Sequence, residues 1–403
     1  MSATGSPPVG GPSAADASGA AHPGFTTTVA GWDGVATQRF SRRWLLVAAG
    51  AAGLVAAGAV PRPAAAVEVD AAALRGRILA GVPPHVGYAE STGRLGLPQI
   101  PQLESTGSLL DSTTRIRAFV AAADRWRVDE LTPAGERDTY HLDGTEYLWD
   151  FGADQLTRVV GQAPLRLPRA ADLLPPELAR RLLRLAPADP VAPLPARRVA
   201  GRTAVGLRLT PSDPATTVGS VDIWADPATA LPMRVEVAPR GGPPLLRTEW
   251  LEIADRSPEP AELTPTVPPG AGAVATSAAD VSNALRRLDA PPPPDRLAGR
   301  RRAPLSGSPD AQLPGVGIYG AGLAAFALVP ATADLARRVV DGAAAAGGTA
   351  VEVPIGRAVR LSTPLVSVVV LASRRNGVLL VGTVAPGLLE QAVRELPDRR
   401  RAR

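Results

Sequence analysis

Tyr140-His141-Leu142-Asp143-Gly144-Thr145-Glu146-Tyr147-Leu148-Trp149-Asp150-Phe151 decides the fold. Asp143-Gly144 is a dipeptide that takes positive φ without strain, as a two-residue hairpin turn demands. The residues on either side are rich in strand formers, so two antiparallel strands meet across it. Working outward, Ile116 to Val120 and Trp126 to Leu131 pair around Ala123-Asp124, and Gly152-Ala153-Asp154 turns the chain into Leu156 to Val160. Further on, Thr203 to Leu209, Gly219 to Trp224, Met233 to Val237 and Leu246 to Ile253 repeat the pattern, with Asp226-Pro227-Ala228-Thr229 as a turn. From Pro84 to about Gly270 the chain therefore reads as a mostly antiparallel sheet of eight or more strands.

Helices are few. Asp70 caps one that runs to Leu79, with Leu74 and Ile78 on one face. Pro175-Pro176-Glu177 opens another, whose apolar face is read as Leu178, Leu182 and Leu185 before Pro187 stops it. A third is expected over Thr276 to Leu288, followed by a Pro- and Arg-rich linker, so that residues 276–312 separate two folded units.

The last unit, residues 313–397, has its own logic. Leu323 to Val329, Val359 to Leu361 and Leu365 to Leu371 read as strands. Asn376-Gly377 is the strongest hairpin dipeptide in the chain and leads into Val378 to Val384. Thr332 to Ala345 reads as a helix with Leu335 and Val339 inward, and Pro386 starts a final helix with Leu388, Leu389, Ala392, Val393 and Leu396 inward. The fold class is α+β: a large curved antiparallel sheet covered by helices over residues 67–275, plus a small C-terminal α+β domain and a basic tail, residues 398–403.

The N-terminal part is different. Residues 1–43 are rich in Gly, Ala, Ser, Thr and Pro and bury too little apolar surface to offset ordering entropy, so a disordered arm on the cytoplasmic side is expected. Arg42-Arg43 then precedes Trp44 to Val60, 17 residues without a charge. Positive charge before an apolar run directs the downstream chain out of the cytoplasm. The run is short for a span of about 20 residues and long for a signal core, so residues 44–66 read either as a retained anchor or as an export signal. Ser41-Arg42-Arg43-Trp44-Leu45-Leu46 resembles a twin-arginine signal, and Ala64-Ala65-Ala66 offers a small-residue cleavage site.

Composition excludes much. The 403 residues contain no cysteine, which removes disulfides, thiolate chemistry and an N-terminal lipidated cysteine. Lysine is also absent; all 43 basic residues are arginine, which rules out a Walker phosphate loop, Ser-Lys nucleophiles and Schiff-base chemistry. A pI near 10.4 invites a nucleic-acid reading. Net charge is only +5, however, and no basic stripe is interleaved with aromatics, so no nucleic-acid partner is expected. Three histidines, His22, His85 and His141, do not build a metal cage, and no metal or cofactor is expected. Gly315-Val316-Gly317-Ile318-Tyr319-Gly320 matches a dinucleotide fingerprint in letters, but Pro314 precedes it and no helix pattern comes after it. No nucleophile elbow occurs and no catalytic residue is assigned; the chain reads as a non-enzyme.

The aromatic residues of the sheet remain. Trp126, Tyr147, Trp149 and Trp224, with Met233, either fill the core or line an apolar cavity between sheet and helices that holds a hydrocarbon chain.

Several segments resemble a known family. Arg125-Trp126-Arg127-Val128-Asp129 and Asp143-Gly144-Thr145-Glu146-Tyr147-Leu148-Trp149-Asp150 look like the LolA-type lipoprotein-carrier fold. Val199-Ala200-Gly201-Arg202-Thr203-Ala204 and Ile223-Trp224-Ala225-Asp226-Pro227 are similar to the MucB/RseB branch, regulators of envelope-stress sigma factors. Tyr319 to Phe326 and Val381 to Pro386 are similar to the smaller second domain of that branch. The resemblance spans about residues 67 to 396. It implies an incomplete antiparallel barrel around helices, an apolar cavity for lipid or an acylated ligand, and a partner protein such as an anti-sigma factor. Two other readings stay open: a LolA-like carrier, and a structural envelope protein with a packed core.

Overall fold

A computed structural model describes residues 70–96, 104–132, 135–161, 168–266, 268–277, 285–288, 290–304 and 313–397. The expected arm and the Trp44–Ala66 segment lie outside these residues. Among the described residues, no helix is long and apolar enough to cross a membrane.

The larger sheet has twelve strands. Strand β1 (His85–Gly93) lies inside it, flanked by β2 (Thr113–Ala122) and β11 (Leu246–Ala254). The chain meanders outward from β2 through β3 (Arg125–Thr132), β4 (Gly135–Leu142), β5 (Thr145–Asp150) and β6 (Gln155–Val160). Helix α3 (Pro175–Leu185) then carries it to the opposite edge, β7 (Val191–Val199). From there β8 (Arg202–Leu209), β9 (Val218–Ala225) and β10 (Pro232–Pro239) lead back to β11. Finally β12 (Gly272–Ser277) crosses over and pairs parallel to β6, beyond the far edge. Every other pairing in this sheet is antiparallel, and β7 and β12 remain unjoined, so the barrel is incomplete.

The turn at the opening stretch is as read: Asp143 and Gly144 have φ of 49° and 82°, and Tyr140 opposes Tyr147. Helices α1 (Ala71–Ala80) and α3 cover one face of the sheet, burying Leu74, Ile78, Ala179 and Leu183 against Ile116, Leu207, Ile223, Met233 and Trp250. Asp70 caps α1 by accepting from the Ala72 amide at 2.9 Å. Arg75 on α1 donates to the carbonyls of Leu183, Ala186 and Asp189, at the end of α3 and in the turn that follows it. One guanidinium thus fixes the two covering helices together. Of the apolar face read for α3, Leu178 is buried and Leu182 packs against the core, while Leu185 is exposed; Pro175, Pro176, Ala179 and Leu183 are buried beside them.

Short α2 (Glu104–Asp111) lies against β1, and one-turn α4 (Pro260–Leu263) lies against β3. The helix expected from Thr276 does not begin there, since Thr276 and Ser277 are the last two residues of strand β12; residues 278–284 lie outside the described set.

The second sheet has eight strands in the order β13-β14-β15-β16-β20-β19-β18-β17. These are Arg296–Leu297, Arg300–Ala303, Gly317–Tyr319, Phe326–Thr332, Asn376–Gly382, Ser367–Ala372, Arg357–Ser362 and Thr349–Val351 respectively. Two of its strands, β13 and β14, come from the stretch read as linker. Helix α5 (Ala333–Ala345) packs on one face and α6 (Pro386–Arg394) on the other. A sheet covered on both faces needs apolar residues at every position, which explains the continuous run Ser367-Val368-Val369-Val370-Leu371-Ala372. On α5 the inward residues are Ala336, Val340 and Ala343, one position on from those read as inward.

Asn376-Gly377 does not form the hairpin turn. The turn is Ser373 to Asn376, and Gly377 is already paired with Ala372. Glycine is required there for another reason: a Cβ would lie 2.1 Å from the Cβ of Ala336, where α5 crosses the sheet. The dinucleotide-like glycines are also explained. Gly315 and Gly320 have φ of 73° and 83° at the ends of β15, and the next element is a three-residue 3-10 turn, not a helix.

The two sheets share one junction. Residues between β8 and β9 form a single bridge, Thr216 to Val384, with the Thr217 amide donating to the Thr383 carbonyl at 3.0 Å and the Ala385 amide to the Ala215 carbonyl at 2.8 Å. The Thr216 hydroxyl reaches the Leu323 and Thr383 carbonyls, and Thr217 donates to Leu365. Arg300 of β14 pairs with Asp213, and Leu323 and Leu365 join the core of the larger sheet.

Candidate functional site

Strand pairing fixes which side chains share a face. Neighbours across a ladder point the same way, and their parity alternates along each strand. On β3, Val128 belongs to the core beneath the helices, so Trp126 and Glu130 share its face. The registers then define three rows across β3, β4, β5 and β6. The middle row is Val128, Thr139, Leu148 and Thr157, and it continues onto β12 at Val274.

This row is apolar or uncharged along its whole length, and its cover fades from one end to the other. Val128 is 3% exposed, Leu148 37% and Val274 44%. At about 4.8 Å per strand it is roughly 19 Å long.

Charged rows flank it. One side carries Trp126, His141 and Glu146. Trp126 and His141 stack at 5.4 Å, and Arg169 lies 5.5 Å from the Trp126 ring centre. That guanidinium is held in a two-pronged bond to Glu146, at 2.8 and 2.5 Å, while the Arg169 amide donates to Asp172. A fork of this kind fixes position as well as charge. The other side carries Glu130, Arg137 and Asp150, with Arg137 and Asp150 paired at 3.2 Å. Burial raises the Glu130 pKa, and Arg137 opposes the rise. The arrangement is an apolar trough between two polar walls roughly 13 Å apart, covered at β3 and open at β12.

The five residues singled out by sequence do not line this trough together. Trp126 stands in its wall. Tyr147 and Trp149 alternate with Leu148 and so lie on the opposite face, where Trp149 is buried and meets Phe151 edge-on at 5.5 Å. Trp224 also lies on that opposite face, on β9, under Arg197 at 4.4 Å, with its indole N–H donating to Pro195. Met233 is fully buried in the core beneath the helices. Residue size suggested the aromatics; parity selects Leu148, Glu146 and His141. The signal was present in the hairpin, since Asp143-Gly144 sets His141 opposite Glu146 and Tyr140 opposite Tyr147.

The opposite face holds a second concentration of charge. Asp129, Glu136 and Asp138 bring carboxylate oxygens within 4.8 Å of one another. Arg127 bonds Asp129 at 2.6 Å and Asp138 at 2.9 Å, and Arg117 pairs with Asp129 and Glu136. The cations this cluster needs are therefore its own two guanidiniums. Burial, with Asp129 close by, pushes Asp138 up to about 8. Tyr140 donates to Asp138 at 3.3 Å.

Fold and trough together define a class: a two-sheet α+β protein whose larger sheet keeps an apolar strip open at one end. No protein-family model matches the chain, and no curated protein matches it. Among solved structures, the chain is similar to the crystal structure of MucB, with 17% identity over 81% of this chain and 97% of that one, at a TM-score of 0.44. It is similar also to the Pseudomonas aeruginosa MucA/MucB complex, with 18% identity, 81% and 97% coverage and a TM-score of 0.45. A LolA superfamily protein from Nitrosomonas europaea matches 49% of this chain and 99% of its own, at 12% identity and a TM-score of 0.23.

Proposed function

We propose that this chain is a non-enzymatic regulatory or sensor protein of the envelope, of the MucB/RseB type, that holds an acyl chain in the trough and docks a partner protein such as an anti-sigma factor. The observation that carries the reading is the middle row, Val128, Thr139, Leu148, Thr157 and Val274, left increasingly open between charged rows. What favours a binding surface is that two of the exposed large apolar residues, Leu148 and Val274, fall in this one row. An apolar chain laid along the row gains about 0.8 kcal/mol for each methylene it buries.

The N-terminal sequence supports an envelope location: Arg42-Arg43 precedes an uncharged run, the pattern that directs a downstream chain out of the cytoplasm. The test is native mass spectrometry with lipid extraction on the full chain, gently purified from an exporting host, beside Leu148→Glu. A stoichiometric acylated ligand on the parent, lost at least tenfold in a folded Leu148→Glu, is the expected result. A parent that carries and takes up no acyl ligand overturns the reading.

A further inference from the structure

The two sheets present four edge strands, and three of them are blunted in ways known to prevent strand addition. Edge β7 contains Pro193, Pro195, Arg197 and Arg198. Edges β13 and β17 are two and three residues long. The fourth, β12, is Gly272-Ala273-Val274-Ala275-Thr276-Ser277, six residues with no proline and no charge, and Gly272 through Thr276 are exposed. Exposed apolar side chains gather at the same place. Of six large hydrophobic residues exposed among the described residues, four, Leu148, Phe151, Val160 and Val274, lie on β12, on β5–β6 or at the end of β5.

We propose that β12 is a docking edge that accepts an extended segment of a partner protein as a thirteenth strand. Main-chain hydrogen bonds supply the affinity in this mode, and alternate side chains supply the selectivity. On the trough face, an incoming apolar residue extends the middle row beyond Val274. On the opposite face, the register places Arg158 of β6 beside Ala275. Arg158 is exposed and makes no ion pair with a described residue. Ala275 is too small to obstruct it, so the guanidinium reaches over Ala275 to a carboxylate on the incoming strand.

The occupant is therefore an extended, largely apolar segment with one acidic residue. A second copy of this edge does not satisfy that description, because Gly272–Ser277 has no carboxylate to offer Arg158. The proposal deepens the reading above, since the strand would sit at the open end of the trough, but its test is separate.

The probe is a fluorescein-labelled peptide, Thr-Val-Thr-Ile-Glu-Val-Thr, added to the full chain. Anisotropy gives affinity and hydrogen–deuterium exchange gives location. Saturable binding with slowed exchange at residues 272–277 is expected. Ala275→Lys, which blunts the edge and repels Arg158, should weaken binding at least tenfold with unchanged circular dichroism. Arg158→Glu should do the same, and a peptide with Arg in place of Glu should restore it. Absence of binding, or binding that neither variant weakens, overturns the proposal. So does a dimer in sedimentation with residues 272–277 already protected, which would assign the edge to a second copy. An acyl ligand retained while peptide binding fails sinks the edge alone; the reverse sinks the trough alone.

Discussion

Asp138 and Asp129 oppose each other on β4 and β3, both buried, with two guanidiniums between three carboxylates. The Asp138 pKa rises to about 8, first from burial and then from Asp129. A carboxyl that titrates higher folded than unfolded contributes stability below its unfolded value, near 4, and loses it as pH rises through its folded value. Unfolding free energy should therefore decline from about pH 4 toward pH 8 through this group. Asp138→Asn keeps the neutral form at every pH, so urea titrations across that window should give a flatter profile than the parent; an unchanged slope would assign the dependence elsewhere. Little of this was legible beforehand. The carboxylates are spaced by parity along two strands, and only the register shows that they meet. Gly377 teaches the same point: beside Asn376 it spells a turn, yet its work is to admit Ala336 of a crossing helix.

At the level of elements, the strands were the most legible part, because alternation and turn residues are local signals. The inward face of α5 centres one residue on from the reading, and α3 leaves Leu185 outside, since a helix face depends on what it meets. Strand β12 was hidden: Gly-Ala-Val-Ala-Thr-Ser has no alternation, and its pairing with β6 spans more than a hundred residues of sequence. Opposite-face placement makes a clear prediction for Trp149. Its ring is 5% exposed and packs away from the trough. Trp149→Ala should cost about 3–5 kcal/mol of stability by leaving a cavity, read from denaturant midpoints. Acyl affinity of the remaining folded protein, measured by titration calorimetry, should change less than twofold. A large loss of affinity with little loss of stability would place the ring in the binding surface instead.

Across the whole described molecule, the composition had suggested two units joined by a loose Pro-rich stretch. The junction has no signature in the sequence, because none of Asp213, Thr216 or Thr217 carries a signal of its own; Asp213 meets Arg300, 87 residues on, and the two threonines meet carbonyls more than a hundred residues away. The Thr216 hydroxyl is buried between the Leu323 and Thr383 carbonyls. Thr216→Val removes one donor to each carbonyl, which keep the Thr383 hydroxyl and the Thr217 amide, and takes away the acceptor of the buried Val218 amide, at a cost of about 1–3 kcal/mol. Calorimetry should show a single transition for the parent and, in the variant, a lowered transition that broadens or divides. A variant melting with the parent would show that the bridge contributes nothing. The junction also constrains recombination. Its rung is main chain, and side-chain donors cross it both ways, Thr216 and Thr217 from a loop of the first sheet and Arg300 from the second. Main-chain groups are offered by any residue, so what a chimera exchanging either sheet must carry from this parent is the side-chain set, Asp213, Thr216 and Thr217 with Arg300 and Thr383.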